Sequence, residues 1–278
     1  MHTDRYHGKN VFISGGSSGI GLATAKLFAS LGAHVFIFAR RVTMLERAIR
    51  EIEASHVSTT QRFSFSSIDV TDSGDVALKL DAAVAGFGNP HIVINSAGLA
   101  YPDYFEKIPY EKFDETIKIN LYGTWNVLTC LVPHMKGSGG HIVNISSVAG
   151  FIGVFGYTAY SASKFALIGF SESLRSEMKP YGIKVSVLCP PDTDTPGLAL
   201  ENKTKPPELK AISGNAGLMN PQDVARALLK GMEKNRFLII PGFEGKSIYA
   251  AKHLFPHVVE RFMDFQISRV RRSLGKDT

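Results

Sequence analysis

Residues 11–21 read Val11-Phe12-Ile13-Ser14-Gly15-Gly16-Ser17-Ser18-Gly19-Ile20-Gly21, a short apolar run that breaks into a turn of glycine and serine. Glycines here let the chain turn sharply and let its backbone approach a pyrophosphate at a helix N-terminus. The spacing is GxxxGxG, not the commoner GxGxxG. Glycine clusters mark tight turns of every kind. The position between a first strand and a first helix is what makes Gly15, Ser17, Ser18, Gly19, Ile20 and Gly21 a candidate dinucleotide cradle.

Downstream, further apolar runs at 35–39, 62–70, 92–95, 142–146, 185–189 and 237–240 are rich in Val, Ile and Phe. Near-continuous hydrophobicity of this kind suits strands buried on both faces of a parallel sheet. Amphipathic stretches at 19–31, 43–55, 73–87, 110–135, 160–180 and 220–235 separate them and predict helices. Asn220 before Pro221 reads as a cap followed by a first-turn proline. The alternation predicts α/β architecture: a single doubly wound Rossmann-type domain, a seven-stranded parallel sheet with helices on both faces. No repeat or Pro/Gly/Ser linker divides the chain. The expected organisation is a domain over 1–243, with a substrate lid at about 196–219, and a helical extension over 244–278.

The chain has 278 residues, 44% hydrophobic and 20% charged, which excludes a disordered protein and is long enough for a full core. Lys and Arg number 31 against 25 Asp and Glu, a net +6, of which residues 244–278 contribute seven basic and four acidic side chains. No basic run is interleaved with aromatics, which argues against nucleic acid. Cys130 and Cys189 lie outside any CxxC or Cys/His cluster, so neither a disulfide framework nor a metal site is expected, and a reducing compartment is. The first apolar stretch is too short for a signal peptide, and no run of about 18 apolar residues predicts a membrane span. A cytoplasmic location is therefore expected.

The second strand ends at Ala39-Arg40-Arg41, where such a fold meets the adenosine ribose. An acidic residue would favour NAD; the Arg40 guanidinium matches a 2′-phosphate and predicts NADPH, the alternative being an arginine in solvent at a strand end. Asp69, followed by Val70, has two readings, a bond to the adenine amino group or an Asx turn into Thr71.

Of nine tyrosines, only Tyr160 has a lysine four residues on, Lys164, on the same face of a helix. A nearby ammonium stabilises phenolate and lowers a phenol's pKa, which makes Tyr160 a plausible general acid for a carbonyl being reduced. Ser147, at the end of the fifth strand, is placed to steady the same oxygen, and the Asn120 amide to hold a water in a proton relay.

Ser14–Gly21, Asn95-Ser96-Ala97-Gly98, Asn120, Ser147, Tyr160 and Lys164, in this order, resemble the short-chain dehydrogenase/reductase family from residue 11 to about 241. The resemblance implies a Ser147–Tyr160–Lys164 triad with Asn120 as a fourth member. It also implies that Lys164 bonds the nicotinamide ribose and that Asn95, Ala97 and Gly98 line the cofactor cleft. By the same resemblance the protein is a homodimer or homotetramer. Residues 155–166 and 190–197, with the following Glu201-Asn202-Lys203-Thr204-Lys205-Pro206, look like the 3-ketodihydrosphingosine reductases within that family. Pro190-Pro191, where the broad family has Pro-Gly, is shared with that subgroup. The likeness places Pro190, Thr193 and Thr195 by the nicotinamide. Ser14 departs from the usual Thr but keeps the hydroxyl.

The implied activity is NADPH-dependent reduction of a ketone to a secondary alcohol, with 3-ketodihydrosphingosine the expected substrate. A 3-oxoacyl thioester (acyl carrier protein) reductase, a steroid or hydroxy-lipid dehydrogenase, and a non-catalytic NADP-binding regulator are the alternatives. The lid carries Leu198, Leu200, Leu209, Ile212, Leu218 and Met219, suited either to an alkyl chain or to a flap with its own core. Residues 257–272 place Val258, Val259, Phe262, Met263, Ile267 and Val270 at helical spacing. That pattern fits an interfacial helix on the cytoplasmic face of a membrane, with Arg269, Arg271 and Arg272 toward anionic lipid. It fits equally a helix packed on its own domain or across a dimer.

Overall fold

The computed structural model describes residues 5–213 and 217–275. Residues 214–216 of the expected lid and 276–278 of the extension lie outside the described residues. Seven strands form one all-parallel sheet: β1 (Asn10–Ser14), β2 (His34–Ala39), β3 (Phe63–Ser67), β4 (Ile92–Asn95), β5 (Gly140–Ile145), β6 (Ile183–Leu188) and β7 (Leu238–Ile239). Their order is β3-β2-β1-β4-β5-β6-β7, each adjacent pair parallel.

The helices are α1 (Gly19–Ala29), α2 (Val42–Glu53), α3 (Ser73–Phe87), α4 (Tyr110–Ile117), α5 (Gly123–Met135), α6 (Thr158–Met178), α7 (Pro196–Glu201), α8 (Pro207–Ser213), α9 (Pro221–Glu233), α10 (Phe243–Leu254) and α11 (Pro256–Ser273). Strand side chains alternate between two cores, as the period of two requires. Val11, Ile13, Val35, Ile37, Ile92 and Ile94 meet Phe28 of α1, Leu45 and Ile52 of α2 and Leu228 of α9. Phe12, Phe36, Phe38, Val93 and Ile142 face the other way, onto Leu80 of α3 and Val127 and Leu131 of α5. Both faces are covered over the central strands, which is why those runs are apolar and not alternating, while the edge strand β3 is part-exposed and alternates Phe with Ser. Strand order reverses between β1 and β4, and the cleft opens there at the strands' C-terminal ends.

The sequence expectation of one helix over 110–135 is modified. The helix widens into a π-type turn at Lys118–Tyr122, centred on Asn120, between α4 and α5. Expectations of the third strand reaching residue 70 and of one tail helix also shift. Strand β3 ends at Ser67, because residues 68–71 turn away through Asp69. The tail holds two helices, α10 as well as α11, and the lid holds α7 and α8. Asn220 caps α9, accepting from Gln222 N at 2.9 Å ahead of Pro221.

The extension joins the body of the domain. Ile248 and Tyr249 of α10 and Val259 and Met263 of α11 pack on Phe151, Ile152, Val187 and Cys189. The remaining apolar residues of α11 divide: Val258, Phe262 and Phe265 are about 60% exposed, beside exposed Leu254 and Phe255. The helix thus has an inner and an outer apolar stripe. No helix among the described residues is long and apolar enough to cross a membrane.

Candidate active site

The glycine turn needs its glycines. Gly15 has a φ of +65°, and a Cβ there would sit 2.7 Å from Ala97 N. A Cβ on Gly21 would strike the Gly15 carbonyl, and one on Gly19 would meet Thr195 Cγ2 at 3.0 Å. The buried Ser14 Oγ accepts from Ser96 N at 3.1 Å and Ala97 N at 3.2 Å, tying β1 to the loop after β4. The hydroxyl shared by Ser and Thr is what this position uses. Ser18 caps α1 without a side-chain bond, and no acidic residue occupies the helix's first turn. The first-turn N–H groups therefore face the cleft with the positive end of the helix behind them, a cradle for a pyrophosphate.

Arg40 lies exposed past β2, its carbonyl held by Ser67 Oγ at 2.9 Å, and among the described residues it has no ion pair. Asp69 Oδ1 accepts from Thr71 N at 3.0 Å and Thr71 Oγ1 at 2.8 Å, so the Asx-turn reading describes it. Val70 is buried, its carbonyl accepting from Asn126 Nδ2. Asn95 is buried; its Nδ2 donates to Asn144 Oδ1 at 2.9 Å, while its Oδ1 has no partner among the described residues. Asn144 in turn donates to Ser171, linking β4 through β5 to α6. Ala97 and Gly98 line the same loop, and a Cβ on Gly98 would lie 3.1 Å from Asn120 Oδ1 and 3.5 Å from Lys164 Nζ. Across the cleft, the Pro190 carbonyl accepts from Val148 N. Thr193 is buried with its Oγ1 on Pro191 O, and Thr195 caps α7 by accepting from Leu198 N. The cradle, the orphaned Asn95 oxygen and exposed Arg40 fit a dinucleotide; Ile20 and Ser17 complete the turn.

Ser147, Tyr160 and Lys164 meet at the end of β5. Lys164 is buried, with Nζ donating to Ile145 O at 2.8 Å and lying 5.5 Å from the Tyr160 ring centre. Burial holds its ammonium down to about 8. Ser147 caps the turn after β5 and hydrogen-bonds Tyr160. The phenol departs from the sequence expectation. Burial raises its pKa, the Glu201 carboxylate raises it further, and only the Ser147 bond draws it down. Desolvating a phenolate outweighs the effect expected of Lys164, so Tyr160 keeps its proton at neutral pH. A donor must hold a proton to give one, and an alkoxide forming on a reduced ketone is basic enough to take it.

Asn120 makes three bonds that the sequence did not indicate. Its Nδ2 donates to Leu99 O and to Ser163 Oγ, both at 2.9 Å, and its Oδ1 accepts from Leu99 N at 2.9 Å. Both amide hydrogens are committed, so a relay water would bond Asn120 as a donor to Oδ1, which has one acceptor site left. Asn120 clamps the Gly98–Leu99 loop to α6 and thereby positions Lys164.

The sequence reading assigned no role to the charged groups on the substrate side. Tyr157, whose ring centre is 5.3 Å from that of Tyr160, donates to Glu201 Oε2 at 2.7 Å. Tyr104 donates to buried Glu208 at 2.7 Å, and buried Lys205 pairs with Asp192 at 3.2 Å. These bonds seat α7 and α8 over the cleft, with Leu198 and Leu209 buried and Leu200 and Leu218 exposed. Their available signal was charge inside an apolar lid, which does not by itself reveal burial.

A parallel doubly wound sheet with a glycine cradle at the strand reversal and a serine, phenol and buried ammonium beside it defines a dinucleotide-dependent oxidoreductase. The chain belongs to the short chain dehydrogenase family, whose model matches residues 9–206. It is 38% identical to 3-dehydrosphinganine reductase of Danio rerio over 248 residues, 88% of this chain and 75% of the relative. It is also 38% identical to 3-ketodihydrosphingosine reductase of Bos taurus, over 86% of this chain and 72% of the relative. Among solved structures, a short chain dehydrogenase/reductase from Burkholderia phymatum in complex with NAD matches with a TM-score of 0.79 at 24% identity, covering 89% of this chain and 94% of that one.

Proposed function

We propose that this protein reduces 3-ketodihydrosphingosine to dihydrosphingosine with NADPH. The convergence of Ser147, Tyr160 and Lys164 at the mouth of the cradle carries the chemistry, and the activity named for the two relatives supports the substrate. NADPH, held by the glycine turn, the Asn95–Gly98 loop and Lys164, with Arg40 on its 2′-phosphate, supplies a hydride to the ketone carbon when bound. Ser147 orients the carbonyl oxygen by hydrogen bonding, and Tyr160 delivers its proton to that oxygen. Lys164 lends positive charge where negative charge develops. Tyr160→Phe tests this against a binding module: NADPH still quenches protein fluorescence while turnover falls by about 10²-fold or more. Retained turnover would overturn the assignment.

The outer stripe of α11 favours a second element of the reading, contact with an anionic bilayer at the cytoplasmic face, where a lipid ketone resides. Residues 244–278 carry a net +3, complementary to such a surface. The paired change Phe262→Glu and Phe265→Glu abolishes flotation with phosphatidylserine vesicles on this reading; failure of the wild type to float removes it. A homodimer or homotetramer would form through α5 and α6, where Tyr122, Trp125 and Phe165 are exposed. Sedimentation giving a monomer would refute that.

A further inference from the structure

Reduction of a plain ketone gives Glu201 no task beyond seating α7 through Tyr157, and its charge works against the reaction. Its carboxylate, at the end of α7, accepts from Tyr157, whose ring lies tilted beside that of Tyr160, and it raises the pKa of Tyr160. The same field opposes negative charge developing on a carbonyl oxygen beside Tyr160. The neighbouring charges leave this unresolved: Lys205 pairs directly with Asp192, while the hydrogen-bond partner of Glu201 is a neutral phenol. The charges of Lys205 and Lys164 both favour an ionised Glu201, yet Lys205 is bonded to Asp192 and Lys164 to Ile145 O, neither bonds Glu201 directly, and burial still raises its pKa. A buried carboxylate of this kind calls for a cation.

We propose that Glu201 is a specificity-determining residue that receives the ammonium of a 2-amino ketone, the substrate class in which a cation sits on the carbon next to the reacting carbonyl. The assignment rests on the sphingoid reading above and deepens it. On this proposal, with the ketone oxygen on Ser147 and Tyr160, the amino group of the adjacent carbon lies on the side of Tyr157, which is beside Tyr160 and bonds Glu201. An ammonium there neutralises the field that otherwise opposes alkoxide formation. A neutral ketone or a 3-oxoacyl thioester meets the bare carboxylate, so selectivity comes from exclusion as much as from attraction.

The test compares kcat/KM for 3-ketodihydrosphingosine and for its analogue with hydrogen in place of the amino group, in identical mixed micelles, with the full-length chain. Wild type favours the amino ketone at least tenfold. Glu201→Gln, which still accepts from Tyr157, loses most of that preference, while Glu201→Asp, which keeps the charge, stays closer to wild type. Melting temperatures establish that each variant is folded, and Glu201→Ala, which also removes the charge, carries the comparison should the Gln variant not fold. An unchanged preference in Glu201→Gln, or no preference in wild type, overturns the proposal while turnover of the amino ketone leaves the sphingoid reading standing. Wild type that reduces a 3-oxoacyl thioester but neither ketone overturns the sphingoid reading, and this inference with it.

Discussion

Asn120→Ala removes a side chain that is 1% exposed and makes three hydrogen bonds, two to the backbone of Leu99 and one to Ser163 Oγ. Ser163 Oγ keeps its own bond to Tyr160 O at 2.7 Å, so its loss is partial. The Leu99 N–H and C=O have no other partner among the described residues and are part-buried, so each orphan costs toward the low end of about 1–3 kcal/mol. With partial water entry, the total comes to about 3 kcal/mol, which urea unfolding resolves. Ser163→Ala, which removes one of the three bonds, costs about 1 kcal/mol, and the double mutant falls short of the sum because the two share a bond. The Gly98–Leu99 loop lies against Lys164 Nζ, so kcat also falls, by about tenfold if 1.4 kcal/mol of positioning is lost. A stability loss below about 1 kcal/mol, with kcat intact, would refute the clamp and return Asn120 to a water-holding role.

Buried His141 donates through Nε2 to Ser186 Oγ at 2.8 Å, since Ser186 itself donates to Arg236 O, and burial lowers its pKa to about 4. The unfolded chain binds this proton from about 6.5 downward and the folded chain only below about 4. The contribution is therefore complete above pH 6.5 and about 3 kcal/mol is lost as pH falls to 4; His141→Gln flattens that part of the stability–pH curve, and an unflattened curve contradicts it. Lys164, held down to about 8, loses its charge above that pH, so kcat/KM for ketone reduction is level below it and declines above. Lys164→Arg moves the decline to higher pH, and an unmoved decline assigns it to another group. Arg40→Ser raises KM for NADPH by about 10- to 100-fold, the worth of a charge-assisted bond, and leaves NADH unaffected; equal effects on both cofactors refute the 2′-phosphate contact.

The sheet was legible because its central strands are buried on both faces, which leaves Val, Ile and Phe little choice of position; the edge strand β3, part-exposed throughout, alternates Phe with Ser. The glycine turn was legible because a positive φ at Gly15 and the close approach to Ala97 restrict the residue type. Tyr160 and Lys164 were legible by helical spacing, but the balance of effects on the phenol was not. Burial depends on α7 folding over the cleft, and nothing local to residues 160–164 encodes it. Asn120 was placed but its clamp was not legible, since its partners Leu99 and Ser163 lie 21 and 43 residues away. Asp69 illustrates the reverse: a bond two residues on is local, and the Asx turn was among the readings the sequence offered. Tyr157–Glu201 spans 44 residues and Tyr104–Glu208 spans 104, distances over which charge pattern carries no pairing information. The amphipathic pattern of residues 257–272 could not separate packing from interface binding, because α11 has one stripe inward and one outward.

The most direct test of the account is NADPH oxidation by the wild-type protein with 3-ketodihydrosphingosine and a 3-oxoacyl thioester in parallel, each repeated with Tyr160→Phe. The account predicts clear preference for the sphingoid ketone and its loss in the variant. Preference for the thioester, or turnover that survives without the Tyr160 hydroxyl, would contradict it.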